Sequence, residues 1–166
     1  MFGIGTGRDI SHPAGFVSRM IAFIIDLVIL SLTGAVITSL AGLIINFFQL
    51  DNLLQSLSQG FPGLTNLIIL VISLASFIFF CGYFLIFWTA IGSTPGKLFM
   101  GLRIVYQNDL PPSFGRALLR FFGYWISAIP LFMGFLWVLV DPQRRGWHDR
   151  LAGTQVIYYW EQLRKK

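Results

Sequence analysis

Charge is scarce in this chain, and so is sulfur that could form a crosslink. Of 166 residues, only 11% are Asp, Glu, Lys or Arg while 55% are hydrophobic, a balance outside the range of ordinary soluble domains. The single cysteine, Cys81, excludes an internal disulfide, and its apolar surroundings make it a small packing residue. The two histidines, His12 and His148, are far apart and lack ligand spacing, which argues against a metal site. No nucleophile, base and orienting group stand in a recognisable arrangement, so neither an enzyme nor a cofactor is expected. The formal net charge is +5, but the basic residues flank apolar runs and form no stripe among polar ones. They therefore point to membrane topology and anionic lipid, not to nucleic acid.

Apolar runs and aromatic rings are what the chain has in abundance. Residues 14–48 and 64–91 each exceed the roughly 20 residues that a helix needs to cross the hydrocarbon core, so two spanning helices are predicted. The segment 49–63 between them contains Asp51, a Gly-Phe-Pro-Gly turn and no Lys or Arg, and is predicted as an external loop. Residues 92–120 carry Lys97, Arg103, Arg116 and Arg120 and read as cytoplasmic. Within them, Leu102 to Tyr106 has strand character, with a turn expected at Gln107, Asn108 and Asp109. Thr154 to Tyr159 alternates in the same way, and the two could pair as a small cytoplasmic β ribbon. A helix is expected from Ser113, with Arg116 and Arg120 four apart on one face.

Residues 121–140 form a third apolar segment, either a third crossing or a re-entrant hairpin. A full crossing would export Arg144, Arg145, Arg150, Arg164, Lys165 and Lys166, six of the twelve basic residues, against the positive-inside tendency. Pro130 and Gly134 interrupt the run, so two half-length helices in a hairpin are preferred, with both termini and the tail 141–166 cytoplasmic. The predicted fold class is a single-domain, all-α integral membrane protein with two full spans, a third apolar segment and a small ribbon.

Arg19 and Asp26 are the sharpest candidates for chemistry, because an ionisable group inside a span is costly and usually placed for a reason. Their spacing of seven puts them on one helical face, which Thr33 continues. Asp26 reads either as a structural pair or hydrogen bond, or as a proton or cation site. Ser31, Ala35, Thr38 and Gly42 form a small-residue face suited to helix packing against 64–91, a second copy or another subunit. The stretch Gly92 to Lys97 fails as a phosphate-binding loop, since only three residues separate its glycines and Leu98 follows the lysine. Asp141 and Asp149, near Arg144, Arg145 and Arg150, read as solvated juxtamembrane pairs; the alternative has Asp149 reaching a basic partner beneath the bundle.

Four segments, SRMIAFIIDLVIL, STPGKLFMGLRIV, RALLRFFGYW and RRGWHDRLAGTQVI, resemble in order and spacing the successive signatures of the RDD family of membrane proteins. The resemblance covers about Pro13 to Ile157. It implies that Arg19 and Asp26 are the family's arginine and first aspartate, and that Asp149 is the second, with Asp141 close by. It also brings in Gly96, Lys97, Gly101, Arg120, Gly153 and Thr154 as motif positions. A role in transport of ions or other ligands is suggested for the family, with some members linked to sodium and proton exchange, while other relatives are accessory parts of larger membrane assemblies. Two expectations follow for this chain. One is an oligomeric component of cation or proton transport using the Arg19 and Asp26 pair; the other is a non-catalytic accessory subunit. In either case the partners are the lipid bilayer and a homo-oligomer or larger complex, in the bacterial cytoplasmic membrane.

Overall fold

The computed structural model describes residues 12–61, 63–106 and 110–159. Helix α1, Phe16–Phe47, and helix α3, Leu64–Ala90, are the two membrane spans. At 1.5 Å per residue the thirty-two residues of α1 extend about 48 Å, more than the roughly 30 Å hydrocarbon core, so it is long enough to cross even when tilted. Both spans are almost bare: α1 buries Ala22 and Asp26, and α3 buries Phe84 and Trp88, all toward one end of the molecule. Apolar side chains all round a helix are what lipid contact requires. Ser31, Ala35 and Thr38 are exposed, Gly42 is half-buried, and a Cβ at Gly42 would meet no atom within 4 Å. The small-residue face is thus open within this chain.

Where the sequence reading has a loop, the structure has helix α2, Leu50–Gly60. Leu50, Leu53, Leu54 and Leu57 recur at spacings of three, one and three, an amphipathic helical pattern, opposite Asp51, Asn52, Gln55, Ser56 and Gln59. Gln49, in the left-handed region at φ 52°, turns the chain out of α1 and into α2.

After α3 the chain forms α4, Pro95–Phe99, then strand β1, Leu102–Val105, and helix α5, Phe114–Ala128. Helix α6, Met133–Leu136, and a 3-10 turn at Trp137–Leu139 follow α5 at a bend of 110°. Pro130 lies in the break, where its ring and missing N–H stop α5, and Leu131 and Phe132 reverse the chain in the left-handed region. Gly134 lets the two arms touch, since a Cβ there would lie 2.5 Å from Ser127 Cα. The chain then returns through α7, Trp147–Ala152, to the start of α5, where Arg116 Nη1 donates to the Ala152 carbonyl at 3.0 Å. The third apolar segment is thus a sharply bent helix pair, as the interruption at Pro130 and Gly134 leads one to expect.

Strand β2, Gln155–Tyr158, pairs antiparallel with β1, from Leu102 opposite Tyr158 to Val105 opposite Gln155. The chain's entry joins them, with Pro13 bridged to Ile157 and Ala14 N–H donating to the Val156 carbonyl at 2.9 Å. The expected ribbon is therefore real, and it roofs a core of Ala14, Ala22, Phe84, Trp88, Leu102, Ile104, Ala117, Phe121 and Val156. The expected turn at Gln107 to Asp109, and Arg164, Lys165 and Lys166, lie outside the described residues.

Candidate functional site: two buried carboxylates and three cations

Two carboxylates, Asp26 and Asp149, are fully buried at this end of the molecule. Asp26 sits in α1 facing the turn that joins α3 to α4. Thr94 caps α4, its Oγ1 accepting from Lys97 N–H at 3.4 Å, and Pro95 supplies the preset φ of the first helical position. This brings three donors onto one carboxylate: Tyr83 Oη–H at 2.8 Å and Gly96 N–H at 2.7 Å to Oδ1, and Thr94 Oγ1–H at 2.5 Å to Oδ2. Gly96 is required sterically, because a Cβ would stand 2.2 Å from the Ala22 carbonyl oxygen and 2.8 Å from the Asp26 carboxylate.

Asp149 lies in the first turn of α7 and accepts from Gly146 N–H at 3.1 Å. Its Oδ2 also accepts from Arg19 Nη1 and its Oδ1 from Arg120 Nη1, in two buried ion pairs. Burial alone would raise this carboxyl, but Arg120 and then Arg19 overturn that and hold it far below the ordinary carboxylate range. Arg19 further donates through Nη2 to the Arg144 carbonyl at 2.6 Å and through Nε to the Ala14 carbonyl at 3.1 Å. Arg120 reaches Thr154 Oγ1 at 2.7 Å, and Gly153, at φ 64°, makes the left-handed stop of α7 that delivers Thr154 there. Gly123 admits α7 against α5, where a Cβ would lie 2.8 Å from His148 Cα. His148 is enclosed by the Tyr124 and Phe135 rings, with centroids at 4.5 and 5.0 Å, and burial pushes its imidazole down to about 3.

The predicted Arg19 and Asp26 pair does not form. Seven helical residues separate the two by about 10 Å along the axis, and each finds its partner on a different element: Arg19 on α7, Asp26 on α3 and α4. The solvated reading of Asp149 is also corrected, since it is buried and reaches beneath the bundle to Arg19 and Arg120. Asp141 is buried as well, its side chain 2% exposed, but its partners Arg145 and Arg150 reach solvent, at 33% and 45%. Lys97 is only 3% exposed and lies 5.9 Å above the Trp88 ring, where burial lowers its ammonium. Sequence reasoning missed Tyr83, Thr94 and Trp88; of these, Thr94 before Pro95 carried a readable helix-start signal.

Chemically, this arrangement ties α1, α3, α4, α5 and α7 into one unit. Three donors on Asp26 and three on Asp149 occupy most of the acceptor capacity of each carboxylate. Among the described residues, no group of three or more His, Cys, Asp or Glu could hold a metal ion.

The model of the RDD family matches residues 13–153. The chain belongs to the RDD family. Among its relatives, the Bacillus subtilis (strain 168) protein called Uncharacterized protein YxaI is 28% identical over 155 residues, covering 88% of this chain and 97% of that one. Uncharacterized protein RP437 of Rickettsia prowazekii (strain Madrid E) is 35% identical over 78 residues, covering 46% and 43%. No solved structure matches. In this RDD protein Arg19, Asp26, Gly96, Arg120, Asp149 and Thr154, drawn from four separate segments of the chain, converge on the two carboxylate clusters.

Proposed function

We propose that this RDD-family protein is a non-catalytic accessory or assembly subunit of a larger membrane complex. It would sit in the bacterial cytoplasmic membrane with both termini in the cytoplasm. The observation that supports this reading is the closure of Asp26 by Tyr83, Thr94 and Gly96, which turns an intramembrane carboxylate into a latch between α1, α3 and α4. A cation path needs a carboxylate oxygen free to receive an ion, and the two bare spans of one chain are too few to enclose such a path. Those spans instead offer apolar surface, including the Ser31, Ala35, Thr38 and Gly42 face, to another membrane helix. The orientation rests on Arg19, Lys97, Arg103, Arg116, Arg120, Arg144, Arg145 and Arg150 gathering at one end.

Purification from native membranes in mild detergent tests this reading. A second polypeptide in fixed stoichiometry is expected; exclusive self-association of the chain would overturn it. Transport by an oligomer is the second reading. What favours it is the α5 and α6 hairpin, a broken helix in an apolar segment with Arg120 and Lys97 buried beside it, the kind of element that lines substrate sites in transporters.

A further inference from the structure

We propose that Trp88, Lys97 and Arg120 form a binding site for a small inorganic monovalent anion, such as a halide, where α3, α4 and α5 meet. The three residues are 0%, 3% and 1% exposed. Trp88 Nε1–H is buried without an acceptor, and so is Arg120 Nε–H, the rest of the Arg120 guanidinium being engaged by Asp149, Thr154 and Tyr124. Among the described residues the Lys97 ammonium makes no hydrogen bond; it stands over the Trp88 ring and within electrostatic reach of Tyr124 and Asp26. Both cations border the same indole, with Lys97 Nζ at 5.9 Å and Arg120 Cζ at 5.4 Å from its centroid, and the Tyr124 ring closes the group at 5.4 Å from Trp88.

The charges do not balance. With Lys97 protonated, Arg19, Lys97 and Arg120 are three cations against two carboxylates, Asp26 and Asp149, and His148 is held neutral by burial; the burial that lowers the Lys97 ammonium reflects the same deficit, which an anion beside it would relieve. Both carboxylates are already engaged by donors from other residues. One positive charge and three N–H donors are therefore left over among buried side chains, an unfavourable combination. A monovalent species that only accepts hydrogen bonds corrects both deficits. Water corrects neither fully, since it carries no charge and brings two hydrogens of its own, and a cation would worsen the imbalance. The near-complete burial of the three side chains suits a halide and not a phospholipid phosphate with its two ester-linked chains.

The site shares Lys97 and Arg120 with the transport reading above but is testable without either reading. The full-length protein in dodecyl maltoside is melted while chloride, bromide or nitrate replaces the bulky gluconate at constant ionic strength. Stabilisation that saturates with chloride is expected, since a ligand that binds only the folded state raises its stability by mass action. Lys97→Met should melt independently of chloride. Trp88→Phe, which keeps a ring but lacks the Nε1–H, should raise the half-saturating chloride concentration about fivefold or more. If Lys97→Met does not fold, chloride-35 line broadening by the wild-type protein, reversed by bromide, takes its place. No saturable dependence and no line broadening would overturn the proposal. So would equal dependence in wild type and Lys97→Met, or one equivalent of tightly bound phospholipid phosphorus in the wild type that Lys97→Met releases.

Discussion

Removing the Asp149 charge should destabilise this protein more than removing any other carboxylate outside the spans. Asp149 is 0% exposed, its partner Arg120 1% and its partner Arg19 11%, so all three ions have left water. In Asp149→Asn the side chain keeps its shape, but its amide group turns two hydrogens toward guanidinium donors and leaves both arginines uncompensated. Breaking a buried pair from one side costs about 3–5 kcal/mol. For a chain of this length, each kcal/mol lowers the melting temperature by about 2–4 °C. A fall of roughly 6–20 °C is expected, read from tryptophan fluorescence of the protein heated in dodecyl maltoside. Asp141→Asn is the comparison, because its partners Arg145 and Arg150 are 33% and 45% exposed and can return to water when the charge is lost, so its cost should be smaller. The sign with pH follows from the depressed carboxyl of Asp149. Its stabilisation is complete above the unfolded value near 4 and disappears only as pH falls further. The gap between wild type and Asp149→Asn should therefore be flat from about pH 5 to 8. A melting temperature for Asp149→Asn within about 2 °C of wild type, or a loss no larger than that of Asp141→Asn, would refute the reasoning.

Other consequences can be checked on the same protein. His148 is held neutral down to about 3, while an unfolded histidine protonates near 6.5. Stability should therefore decline as pH drops below about 6.5, by up to about 1.4 kcal/mol per unit, and His148→Phe should flatten that slope in acid melts. Gly96→Ala forces a Cβ to 2.2 Å from the Ala22 carbonyl oxygen and should cost about 1–3 kcal/mol in thermal melts. Gly34→Ala, where a Cβ meets nothing within 4 Å, should be neutral or slightly stabilising by the same measurement. In α2, Leu53 is 53% exposed on the leucine face, and a nitroxide at Leu53→Cys should favour oxygen over a water-soluble nickel relaxant, with the reverse at Gln55→Cys. Equal accessibility at both positions would mean that α2 does not lie in the lipid interface.

The elements were legible in the sequence wherever one physical signal dominated. Long apolar runs gave α1 and α3, alternation gave the β1 and β2 ribbon, and Pro130 gave the break between α5 and α6. The α2 helix escaped notice because its leucines are diluted by polar residues and the segment lacks base, so loop composition outweighed periodicity. The site was harder. Charge in an apolar run singles out Arg19 and Asp26, but helical spacing can only offer partners on the same helix, and the actual partners lie 130 residues away for Arg19 and 57 to 70 away for Asp26. Nothing local marks Asp149 as buried, since its neighbours Arg150 and Leu151 are exposed. Only the recurrence of motifs along the chain tied Arg19, Arg120 and Asp149 together before their contacts were seen.

The claim at the centre of this account is that Asp26 is a latch and not a cation or proton site. Asp26→Asn separates the two when thermal stability and proteoliposome ion flux are measured side by side with the wild type. The account predicts a markedly lower melting temperature for Asp26→Asn, because the amide cannot accept from Tyr83, Thr94 and Gly96 together, and no Asp26-dependent flux through the wild type alone. An Asp26→Asn protein as stable as wild type that has lost a measurable sodium or proton flux would contradict it.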